Sequence, residues 1–163
     1  MVYNKISSGE YKKILELTPV CCIEVMIYHK GKVLLVLRKS EPLKNEWWFP
    51  GGRIYKNETL QQAAVRKAYE EAGIKVKIIK KIGAYETIYK FGPFDKLKSG
   101  VHTVNVCILA KPIGKNINVK IDKTSSKYRW IAKIEKDLLS QARVMEAARM
   151  SNKEGKIIKI SEL

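Results

Sequence analysis

Two adjacent carboxylates, Glu70 and Glu71, follow a Gly51-Gly52 turn, with Arg66 and Lys67 one helical turn before them. Hard oxygen ligands of this kind suit Mg²⁺, and the backbone carbonyls of a glycine turn can complete the set. An ion held there would serve phosphate chemistry, because it neutralises phosphate oxygens and acidifies a bound water. The same side chains also make ordinary helix-surface pairs, Arg66–Glu70 and Lys67–Glu71, worth about 0.2–0.5 kcal/mol each. Periodicity by itself favours those pairs. Lys67 is the odd member, a positive charge on the face where a metal needs negative ones.

A helix must carry these residues. Thr59-Leu60-Gln61-Gln62 is a capping box that starts it near residue 59, and Gly73 supplies a left-handed stop. Leu60, Ala63, Ala64 and Ala68 include small residues, so this helix can lie close against a sheet. An earlier helix is expected over 8–17, with Ser8 as cap and Pro19 ending it. Strands are expected at 20–28 and 32–38, joined at His29-Lys30-Gly31, and again at 75–82, 83–90, 101–111 and 127–132. A closing helix fits 139–151, with Ser140 as cap and Val144, Ala147 and Ala148 on one face. Strands interleaved with two or three helices predict an α/β (α+β) sandwich around a mixed sheet.

The 163 residues are about one domain, residues 1–163, and 45% apolar content is enough for an ordinary core. The longest apolar run, residues 19–28, is too short to cross a bilayer and contains Glu24. Cys21 and Cys22 are neighbours in a strand-like stretch and are expected to be reduced and buried, which predicts a cytoplasmic protein. A net charge of +16 comes from 26 lysines against 6 arginines. Such a balance suits nucleic acid or polyanionic ligands in general. The lysines are spread along the whole chain, however, with no basic run beyond short pairs, which disfavours a dedicated nucleic-acid surface.

The segment 52–74 resembles the Nudix box, G-x5-E-x7-R-E-U-x-E-E-x-G-U, where U is a bulky aliphatic residue. Gly52, Glu58, Arg66, Glu70, Glu71, Gly73 and Ile74 fall in register, and Ala68 is a small stand-in for the first U. Lys67 stands where the box has a glutamate. The resemblance implies a Nudix-type α/β/α sandwich and metal-dependent hydrolysis of a nucleoside diphosphate linked to another moiety. By position, Glu70, Glu71 and the Gly51 carbonyl would be the ligands of Mg²⁺ or Mn²⁺. Glu70 and Glu71 would act in catalysis together with Arg66, which with Glu58 would brace the loop against the helix. At about 5 Å and an effective dielectric of about 20, each unit charge is worth roughly 3 kcal/mol to an ion. Lys67 therefore argues for one metal rather than a cluster.

The GDP-mannose mannosyl hydrolase branch of that family also lacks this glutamate, and the similarity covers most of residues 11–150. It implies that Arg38 and Arg53 hold the diphosphate and that Glu24 contacts the nucleoside. Lys67 is itself placed either to contact a phosphate or to pair with Glu71. The branch has a Gln-His pair shortly before Tyr-Arg-Trp, where Thr124 and Ser125 stand in this chain. His102 and Asp122 are substitutes for the missing base, behind Glu70. The expectation is a hydrolase of a nucleotide sugar, with a homodimer left open and no membrane partner. The alternative is a catalytically impaired domain that binds nucleotide or RNA.

Overall fold

The structure, a computed structural model, describes residues 6–132 apart from 96, 98 and 115. Its elements run α1 (Ser8–Leu17), β1 (Val20–His29), β2 (Lys32–Arg38), β3 (Trp47–Trp48), β4 (Gly51–Arg53), α2 (Leu60–Ala72), β5 (Val76–Tyr89), β6 (Val101–Pro112) and β7 (Ser125–Ile131). The expected closing helix at 139–151 lies outside the described residues.

β1 organises the mixed sheet. Its alternating pattern gives one buried row, Ile23, Val25 and Ile27, and a second row on the opposite face, Cys22, Glu24 and Met26. One edge of β1 pairs in parallel with β6, and β5 continues the sheet antiparallel to β6. The other edge is shared. Its early part pairs with β4 (Cys22 with Arg53, Glu24 with Gly51), and its end forms the hairpin with β2. β2 in turn pairs with β3 and β7.

Helix α2 packs on the face that carries Ile23, Val25 and Ile27, through Ala63, Ala64, Ala68 and Ala72. All four alanines have no exposed surface, so the helix backbone comes close to the strands. Thr59 and Gln62 form the capping box, and Gly73 closes the helix at φ 68°. The opposite face holds Met26, Leu35, Phe49, Cys107 and Leu109, and α1 covers its end through Leu15 beside Val20, Cys22 and Val101. Helices therefore lie on both faces of a mixed sheet, the α+β arrangement expected.

Four expectations need correction. The cap of α1 is Ser7, one residue earlier, because Ser7 and Glu10 complete a reciprocal capping box. The predicted strands 75–82 and 83–90 are one strand, β5. Gly83 lies beside a bulge between Lys81 and Gly83 and still pairs with Cys107. The Gly51-Gly52 stretch is not only a turn, since it opens β4. Cys21 is exposed rather than buried, because the cover of α2 on its face begins at Ile23.

Close helix–sheet contact at the alanines makes a definite prediction. Ala68→Leu adds three carbons where no surface is free, and is expected to lower stability by about 1–3 kcal/mol in urea denaturation.

Candidate active site

The turn between β4 and α2 is held by one arginine. Arg66 donates from Nε to Glu58 Oε1 at 2.6 Å and from Nη2 to Glu58 Oε2 at 2.7 Å. The same Nη2 donates to the Arg53 carbonyl at 3.0 Å, and the guanidinium lies 4.0 Å over the Tyr55 ring. Glu58 also accepts from the Tyr55 amide at 2.9 Å, and its side chain is fully enclosed. Burial opposes its ionisation, but the bonds from Arg66 and Tyr55 outweigh it and hold the carboxyl below its ordinary range.

Above this brace, Glu71 reaches back to the turn. The Gly51 amide donates to Glu71 Oε2 at 3.0 Å, and Lys67 Nζ donates to Glu71 Oε1 at 2.9 Å. Lys67 Nζ also lies 3.4 Å from Glu70 Oε2. Burial raises the pKa of the Glu71 carboxyl, opposed in part by Lys67 and the Gly51 amide. For Lys67 burial works the other way, but the charges of Glu71 and Glu70 prevail and keep the ammonium protonated. The glycines are sterically required. A Cβ on Gly51 would stand 2.4 Å from the Ile23 carbonyl oxygen, and one on Gly52, at φ 141°, would stand 2.9 Å from Lys67 Cε.

A cleft of about 300 Å³ opens at this point. Six of the residues singled out from the sequence line it: Glu24, Arg38, Gly51, Arg53, Lys67 and Glu71. Glu70 and Arg66 do not. Glu70 is exposed outside the cleft and is bonded to Arg66 Nη1 at 3.0 Å, while Arg66 itself lies in the brace. Adjacent positions on a helix diverge by about 100°, so Glu70 and Glu71 do not project side by side as expected. Both nevertheless reach the Lys67 ammonium. The donor set is of the right chemistry for a hard divalent ion, and the point on which its two carboxylates converge is held by a lysine charge. Among the described residues no group of three His, Cys, Asp or Glu side chains is arranged to bind a metal.

Several partners were not foreseen. Glu24 is buried and accepts from Trp48 Nε1 at 2.8 Å and from the Tyr85 hydroxyl. The Arg53 guanidinium stacks 3.7 Å over the Tyr11 ring, which brings α1 into the cleft wall. Arg38 donates from Nε to the Pro42 carbonyl at 3.2 Å. Thr87, Thr103 and Asn105 form part of the floor. The period of two along β5 and β6, with polar side chains at 85, 87, 103 and 105 on an inward row, was the available signal. His102 is on the opposite row of β6 and pairs with Glu86 at 3.1 Å, so it does not serve the cleft. Thr124 and Ser125 line the cleft, whereas Asp122 accepts from Thr124.

Comparisons with known proteins give the family and support the fold. The sequence pattern of the NUDIX domain matches residues 20–148, so the chain belongs to the NUDIX domain family. It is 40% identical over 96 residues to the low-salt glycan biosynthesis protein Agl8 of Haloferax volcanii, covering 59% of this chain and 62% of that protein. It is 34% identical over 88 residues to an ADP-ribose pyrophosphatase of Methanocaldococcus jannaschii, covering 52% of each. The match thus spans about half to six-tenths of these relatives' lengths. The fold is similar to a MutT NUDIX hydrolase from Burkholderia pseudomallei, with a TM-score of 0.66 and 22% identity, covering 83% of this chain and 99% of that one. A NUDIX hydrolase from Nitrosomonas europaea gives a TM-score of 0.62 at 23% identity, covering 80% and 69%.

The brace yields two expected outcomes. Arg66→Ala leaves the enclosed Glu58 without its counter-charge and should cost about 3 kcal/mol of unfolding free energy. Because the folded pKa of Glu58 is depressed, its contribution is present above the ordinary value of 4.5 and is lost as pH falls below it. In urea denaturation against pH, the stability gap between wild type and Glu58→Gln should therefore close on acidification. A gap that persists unchanged in acid would contradict this pairing.

Proposed function

We propose that this chain is a divalent-metal-dependent hydrolase of nucleoside diphosphates linked to another moiety, with nucleotide sugars as the leading substrate class. The observation that carries the reading is the convergence of Glu71, Gly51, Lys67, Arg38 and Arg53 on one cleft behind the family's loop and helix. Glu71, Glu70 and the Gly51 carbonyl would hold Mg²⁺ or Mn²⁺, which when bound neutralises the diphosphate and lowers the pKa of a water. Arg38 and Arg53 offer planar donor forks for phosphate oxygens. Lys67 adds an ammonium to the same mouth, so less metal charge is needed there, and a single ion is the expected complement. Membership of the family and the pyrophosphatase relative support the reaction class. The nucleotide-sugar substrate is supported by the resemblance at Glu24, Arg38 and Arg53, and by a relative named for glycan biosynthesis. Among the described residues no helix is long and apolar enough to cross a membrane.

A second reading is a nucleotide-binding domain that does not turn its ligand over. It is favoured by one observation, the Lys67 ammonium bonded to the principal carboxylate.

Hydrolysis of a panel of nucleoside diphosphate sugars, ADP-ribose, dinucleoside polyphosphates and nucleoside triphosphates with Mg²⁺ or Mn²⁺ separates the two. Metal-dependent turnover should fall by about 100-fold or more in Glu71→Gln. Nucleotide binding without turnover of any panel member would favour the second reading, and undiminished turnover in Glu71→Gln would remove Glu71 from the mechanism.

A further inference from the structure

The cleft has a charged end and a neutral end. The charged end is the mouth formed by Glu71, Lys67, Arg38 and Arg53. The neutral end lies deeper, where β5 and β6 place Thr87 opposite Thr103, with Asn105 two residues further along the same row. Thr87 is 4% exposed and Asn105 5%, and both line the cleft. Asn105 Nδ2 donates to Thr103 Oγ1 at 3.0 Å and to Thr87 Oγ1 at 3.4 Å, and the two threonine hydroxyls share a hydrogen at 2.5 Å.

The hydrogen count of this cluster leaves something over. Two amide hydrogens and two hydroxyl hydrogens are available, and the three contacts within the cluster use three of them. One hydroxyl hydrogen remains, together with the Asn105 carbonyl oxygen, since Asn105 bonds to the threonines through Nδ2 alone. An acceptor left over in a cleft is met by water or by a ligand. On the opposite side, Asn105 is in register with Cys22, and Cys22 with Arg53. Burial pushes the Cys22 thiol up to about 12, so it adds no charge to this row, and the Glu24 carboxyl in the next row is met by Trp48 and Tyr85. Two strand spacings of about 4.8 Å each separate Asn105 from Arg53, which is room for one ring next to a phosphate.

We propose that Asn105, Thr103 and Thr87 form a subsite for the hydroxyls of a sugar ring joined to the far phosphate of a nucleoside diphosphate. Ring hydroxyls both donate and accept, which matches a cluster that has one donor and one acceptor to spare. The diphosphate then sits at the charged mouth and the neutral ring on the neutral floor. This assignment rests on the reading of the cleft as a nucleoside diphosphate site, and it is independent of whether the ligand is hydrolysed.

Equilibrium binding by calorimetry tests it, with a nucleoside diphosphate hexose and the matching nucleoside diphosphate as probes, in the presence of Mg²⁺. Wild type should bind the hexose derivative more tightly, by about tenfold or more, the scale of one or two ring-hydroxyl hydrogen bonds. That margin should largely vanish in Asn105→Ala, and also in Thr103→Val, which keeps the side-chain shape and guards against simple misfolding. Thermal melting of both variants checks that the fold is retained. Equal affinity of wild type for both probes, or a margin that survives in both variants, overturns the subsite. A deficit that instead follows ribose against deoxyribose, or one nucleobase against another, assigns the cluster to the nucleoside and also overturns it. Turnover is read separately, so a preserved binding margin without hydrolysis would fail the hydrolase reading and leave the subsite standing.

Discussion

Glu71 is a mostly enclosed carboxyl whose burial raises its pKa, and the groups around it oppose that rise. Its two oxygens are met by the Gly51 amide and the Lys67 ammonium, one to each. Without such partners burial would favour the protonated acid. The ammonium in turn needs the space beside Gly52, where a Cβ would press on Lys67 Cε. The turn, the helix and the charge are therefore one interlocked unit.

The rest of the fold presents that unit to a ligand. The alanine face lets α2 lie close to β1, and the Arg66–Glu58 pair ties the loop before the helix to its first turns. Register across β4, β1 and β6 then sets Arg53, Cys22 and Asn105 in one row, and Gly51, Glu24 and Cys107 in the next. Charge is gathered on the α2 side of the cleft, while the strand floor carries amide, hydroxyl and thiol groups. Glu24 is the exception on that floor, and it is met by Trp48 and Tyr85.

Local signals explain what was legible in the sequence. Helix α2, its Thr59 cap and its Gly73 stop depend on residues within a turn of one another, and they occur where the sequence indicates. The motif spacing likewise brings Gly51, Lys67 and Glu71 to the same mouth. What was not legible depends on partners far along the chain. The stacking of Tyr11 on Arg53 spans 42 positions (53 minus 11), and Tyr85 reaches Glu24 across 61. The separation of Glu70 from Glu71 was hidden for another reason. Adjacent carboxylates read as a pair in sequence, but the helix turns one towards the cleft and the other towards Arg66. Gly83 looked like a strand break, yet pairing with β6 carries β5 through it.

The proposed function has the Lys67 charge limiting this mouth to a single divalent ion shared with the diphosphate. Counting bound Mn²⁺ by electron paramagnetic resonance, with a nucleoside diphosphate hexose present, tests it most directly in wild type and Lys67→Glu. The account predicts one ion per chain in wild type and at least one more in the variant, where a third carboxylate replaces the ammonium. Two or more ions in wild type, or an unchanged count in Lys67→Glu, would contradict it.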